Sequence, residues 1–157
     1  MLKQPIFQVS CMILLFTSAC INTDKTPTEK IEYTAKGTIA RRVSLKDGKK
    51  EGSMTDYYPD GKVMGVRFFK NDKQTGRTVL YYPSGSIKEV QYYEDGMRFR
   101  GDTVWHENGN VQMAVTFVTD KKQGYFRTWT PTGNLLLEVL YEQDSVISIK
   151  SMMEPKK

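Results

Sequence analysis

Few residues in this chain are equipped for chemistry. There is one histidine, His106, and there are two cysteines, Cys11 and Cys20. A metal site needs His, Cys or carboxylate ligands grouped at short spacings, and these three stand far apart. A serine nucleophile needs a strained elbow between glycines, and the sequence contains none. Carboxylates are plentiful, but Asp47, Asp60, Asp72, Asp95 and Asp120 sit in turn-like segments. Aspartates at such places bond their own backbone. An acid–base pair drawn from them would need two turns to converge. The reading is of a chain with no catalytic residue, no metal ligand, no cofactor and no small-molecule substrate.

What the sequence has instead is periodicity. Tyr33, Tyr57, Tyr81, Trp105 and Trp129 stand 24 positions apart. A glycine follows each by four positions: Gly37, Gly61, Gly85, Gly109 and Gly133. Two further on comes a β-branched or aliphatic residue: Ile39, Val63, Ile87, Val111 and Leu135. Another column runs Leu45, Phe69, Tyr93, Phe117 and Tyr141. Such self-similarity marks a repeat architecture, and repeated surfaces serve binding more often than catalysis.

Each unit has strand formers on both flanks and turn residues at its centre. In Tyr57-Tyr-Pro-Asp-Gly-Lys-Val63, proline and aspartate suit a type I turn, and Gly61 suits the left-handed position that closes a three-residue bulged hairpin. This turn pairs Tyr58 with Lys62 and Tyr57 with Val63. Alternation then places Tyr57, Val63 and Phe69 on one face, expected to be the buried or concave one. The second connection, as in residues 70–76, reads as looser and ends in a glycine. Gly101 falls one place late in that series, which reads as an insertion offset by a shortened strand. The expected fold is all-β: an elongated antiparallel meander of about five 24-residue hairpin units.

The formal charge of +5 is small and its signs are interspersed, so the chain lacks the basic stripe of a nucleic-acid binder. Lys3 followed by the apolar run Val9–Phe16 reads as a targeting segment too short to span a bilayer. The stretch Thr17-Ser-Ala-Cys20 resembles the lipobox of bacterial lipoproteins, with Thr17 where that family usually has Leu. The resemblance implies lipidation of Cys20. The expected organisation is a signal peptide at 1–19, a lipidated cysteine and flexible tether at 20–32, the repeat domain at 33–144, and a capping strand and tail at 145–157. The protein would be exported and anchored at a cell or outer membrane.

The units YYPDGKV…FFKNDKQTG, YYPSGSI…YYEDGMRFRG and WHENGNV…FVTDKKQG resemble the MORN-variant repeat. That repeat occurs in bacterial proteins often labelled YwqK-type antitoxins, many of them lipoproteins. The resemblance implies a meander of hairpins and, through the label, an antitoxin or immunity role exercised by binding a toxin. The residues themselves point to a binding module for protein or glycan. Tyr58, Tyr82, His106, Tyr92 and Phe68 are the candidate contacts. They read either as a wet sheet surface or as a contact ladder, since tyrosine offers large area with few torsions to freeze.

Overall fold

The computed structural model describes residues 26–151. They form one antiparallel sheet of thirteen strand segments and no helix. In chain order these are β1 (Thr28–Tyr33), β2 (Ile39–Lys46), β3 (Lys49–Tyr57), β4 (Val63–Lys70), β5 (Lys73–Tyr81), β6 (Ile87–Glu94), β7 (Met97–Arg98), β8 (Arg100–Trp105), β9 (Val111–Val118), β10 (Lys121–Lys122), β11 (Gly124–Trp129), β12 (Leu135–Glu142) and β13 (Ser145–Ser151). The short segments β7 and β10 pair with β6 and β9, and every other strand lies beside its sequence neighbours. The all-β repeat meander is as expected. The sheet, however, begins inside the segment expected as tether: residues 28–32 pair with β2 as part of β1. The signal segment and Cys20 lie outside the described residues.

The tight turn has the expected form. Tyr58 and Lys62 are joined by a backbone hydrogen bond, Tyr57 pairs with Val63, and Gly61 takes φ 85°. The second connection is tighter than expected. Asn71 and Asp72 alone link β4 to β5, both with positive φ, and Lys70 pairs with Lys73. This is a two-residue turn whose twist matches the flanking strands. Asp47-Gly48, Asp95-Gly96, Thr119-Asp120 and Gln143-Asp144 repeat it. The glycine that follows marks a bulge inside the strand: Phe68 pairs with Thr75 but Val66 with Val79, which leaves extra residues around Gly76 (φ 69°). Gly52, Gly76 and Gly124 hold this place, and Arg100 holds it in the remaining unit at φ 65°. The 24-residue spacing is therefore unbroken, with no insertion at Gly101. An arginine has replaced the glycine.

The face assignment also needs correction. Tyr57 pairs with Val63 across a register shift. Val63 thereby joins the face of Tyr57, Val66 and Tyr81, whereas Phe69 falls on the opposite face with Met54, Asp56 and Arg67. Met54, Val115, Phe117 and Val139 are buried on that opposite face, hereafter the core face. Val63 and Ile87 are about two-fifths exposed, and Val79 and Val90 are buried beneath them.

Substantial contacts between elements join only strands adjacent in the sheet. The core face is covered by its own side chains. The cation of Lys50 lies 4.9 Å from the Phe69 ring centre, that of Arg98 3.9 Å from Phe117 and that of Lys122 4.9 Å from Tyr141. The charged groups lie over the ring faces, a favourable cation–ring contact.

Candidate interaction face

The shallow concavities on the described residues include four that the repeat generates as two equivalent pairs. One notch of about 370 Å³ is lined by Lys62, Val63, Val66, Tyr81 and Gly85. A second, of about 450 Å³, is lined by Asn110, Val111, Ala114, Trp129 and Gly133, with Thr103 added. The five shared positions lie 48 residues, two units, apart. The unit between them places Ser86, Ile87, Val90, Trp105 and Gly109 at the same positions. Each notch forms where the bulge beside the glycine turn swings an aliphatic side chain toward an aromatic one from the next hairpin.

The other pair lies at the edge formed by the two-residue turns. One groove is lined by Lys46, Asp47, Lys49, Glu51 and Asn71, the other by Glu94, Asp95, Met97, Arg98, Phe99 and Thr119. These also correspond at 48 residues, but the chemistry drifts: Lys46 becomes Glu94, Lys49 becomes Met97 and Glu51 becomes Phe99. The apolar walls of the notches keep theirs, with Val63 and Val111, Val66 and Ala114, and Tyr81 and Trp129 in matching places, while the rim position changes from Lys62 to Asn110. Strand packing alone does not demand this, because Val63 and Ile87 stay about two-fifths exposed.

The candidate contacts named from the sequence separate into two groups. Tyr58, Tyr82 and His106 are half-buried at the glycine-turn edge, where each reaches a backbone carbonyl of the next unit. The Tyr58 hydroxyl donates to Tyr81 O at 2.7 Å, that of Tyr82 to Trp105 O at 2.7 Å, and His106 Nε2 lies 2.9 Å from Trp129 O. Phe68 is exposed and Tyr92 half-buried, both on the notched face but off the notches. The signal for the notch residues was present in the sequence as the Tyr57 and Val63 columns. Strict alternation puts those columns with Phe69 on a face expected to be buried or concave, and the bulge beside Tyr57 separates them from Phe69.

Carboxylates do converge, though on adjacent strands and not at turns. Asp102 is 4% exposed on the core face, its Oδ1 without a hydrogen-bond partner, facing Glu89 and Gln91. Burial, then the Glu89 charge, pushes its carboxyl up to about 6. Gln91 Nε2 donates to Glu89 Oε1 at 2.6 Å, and the Tyr93 hydroxyl donates to Gln91 Oε1 at 3.0 Å. Burial also raises the Tyr93 hydroxyl above its usual range. Neither Asp102 nor Glu89 lines any of these four concavities. Among the described residues, no group of three His, Cys, Asp or Glu is placed to hold a metal ion.

The geometry defines a repeat protein with a linear, periodic surface. Residues 50–71 and 74–95 match the MORN repeat variant, which places two of the units in that repeat class. No curated protein matches the chain.

Proposed function

We propose that this chain is a non-catalytic binding module, exported and held at a bacterial envelope membrane through lipidated Cys20, whose partner lies along the notched face. The observation that carries the reading is the persistence of notch chemistry between units whose edge grooves have diverged. A partner that touches successive units constrains each in the same way. Apolar side chains left partly exposed in a row, beside half-buried aromatic rings, gain free energy when a ligand covers them. The anchor is supported by the apolar run and small residues before Cys20.

Photo-cross-linking tests the face. A benzophenone amino acid at Val63 or Val111 should capture a partner in cells, whereas the same probe at Lys122 on the core face should not. Equal capture from both faces would count against the assignment. Cys20→Ser should move the protein from the membrane to the soluble fraction, and a variant that stayed with the membrane would remove the lipid anchor.

A further inference from the structure

Resting on the notched face as the binding surface, we infer that its occupant is a proline-rich segment of a partner protein in polyproline II conformation, with one proline seated in each notch. The argument is one of pitch. Successive units are two strands apart, so equivalent notches recur about every 9.6 Å along the sheet. A polyproline II helix repeats every three residues, about 9.3 Å, and presents the same face at each turn. An extended β-strand presents same-face side chains about every 6.7 Å and falls out of step after one notch. Only the first of these conformations keeps its side chains in step over Val63–Tyr81, Ile87–Trp105 and Val111–Trp129.

Chemistry favours the same occupant. Each notch sets an aliphatic wall against the side chain of Tyr81 or Trp129, with a glycine at the rim that leaves the entrance open. Grooves of this kind accept proline rings, which enter with little conformational entropy to lose. A β-linked polysaccharide also has a disaccharide repeat of similar length, but its hydroxyls need polar partners. Several polar groups at the rim already bond to the backbone: Lys62 Nζ donates to Pro83 O at 2.8 Å, keeping its charge and its other N–H groups, and Asn108 and Asn110 Nδ2 each donate to Pro131 O at 2.7 Å. Lys62 stands at the rim of the first notch, and Lys88 beside the row with its cation 5.7 Å from the Tyr82 ring centre. Acidic residues between the prolines are therefore favoured over basic ones.

Both tryptophans of the chain, Trp105 and Trp129, belong to this row, so intrinsic fluorescence reports on it directly. The full-length protein in non-ionic detergent would be titrated with three probes. These are a peptide with proline at every third position and glutamate between, a peptide of equal length and composition with its prolines shuffled out of the three-residue spacing, and a β-1,4-linked N-acetylglucosamine oligomer. The first should give a saturable emission shift. Its affinity should fall at least about tenfold with the second peptide, and likewise with Val63→Lys or Val111→Lys at unchanged far-ultraviolet dichroism. Saturation by the oligosaccharide alone would overturn the proline-rich occupant while leaving the face intact. Undiminished peptide binding to the lysine variants would place the peptide elsewhere and overturn the inference. No response to any probe would also overturn it, and cross-linking at Val63 and Val111 would then report separately on the face.

Discussion

The Tyr58 hydroxyl donates a 2.7 Å hydrogen bond to the carbonyl of Tyr81, 23 residues later. Tyr82 repeats the bond to Trp105, and His106 replaces tyrosine in the same role toward Trp129. A carbonyl only accepts, so in this contact His106 Nε2 serves as the donor. These bonds clasp one glycine turn to the strand end of the next unit and fix the aromatic wall of each notch. Removing one hydroxyl leaves a carbonyl with one partner fewer at a half-buried site. Tyr82→Phe should lower stability by about 1 kcal/mol in urea unfolding. Loss of stability well above that would mean the hydroxyl has a further partner.

Arg100 occupies a backbone position that glycine fills in three other units, at φ 65°. A side chain in the left-handed region costs roughly 1 kcal/mol. Arg100 recovers part of this by lying 5.1 Å from the Phe99 ring centre, an exposed contact of small value. Arg100→Gly should therefore raise stability slightly, by at most about 0.5 kcal/mol after allowing for the greater freedom of glycine in the unfolded chain. A lower midpoint would show that the ring contact outweighs the backbone strain.

The periodic columns made the hairpins and their order readable, because turn type and strand pairing are local. Tyr57, Pro59, Gly61 and Val63 specify their turn without help from distant residues. Two of the differences between sequence and structure share one cause, a bulge. Val63 and Phe69 were placed together by strict alternation, and the bulge next to Tyr57 breaks it. Residues 70–76 read as a loose loop because the strand continues through Gly76 as a bulge, with polar residues on both sides. Asp102 was invisible as a core residue. Its equivalents Met54, Thr78 and Phe126 are uncharged, and only the pairing of β6 with β8 brings it to Glu89.

Asp56 is 2% exposed, and its carboxylate joins two strands at once. Arg41 Nε donates to Oδ1 at 2.5 Å from β2, and Arg67 Nη1 donates to Oδ2 from β4. Both arginines keep partial contact with water, so losing the aspartate strands them less than a fully buried pair would be stranded. Asp56→Ala should cost about 2–3 kcal/mol, below the upper range for broken buried pairs. Denaturant unfolding of the variant measures this, and a change under about 0.5 kcal/mol, the level of a surface pair, would show that solvent already carries the charge.

Asp102 makes stability depend on pH with a sign opposite to that of a salt-bridged carboxylate. Its folded carboxyl titrates at about 6, above the usual value of 3.8, because burial and the Glu89 charge disfavour ionisation. Between those two values the folded state holds more protons than the unfolded state, so stability falls as pH rises through that window and levels off above it. The full shift corresponds to about 3 kcal/mol, and solvent relaxation around the pair reduces this to about 1–2 kcal/mol. Asp102→Asn keeps the shape and supplies an N–H toward Glu89, so it should flatten the decline between pH 4 and 6 and raise stability at pH 7 by that amount. Unfolding midpoints of both proteins measured across pH 4–8 decide the matter. Parallel curves would mean that Asp102 is not the group that carries the dependence.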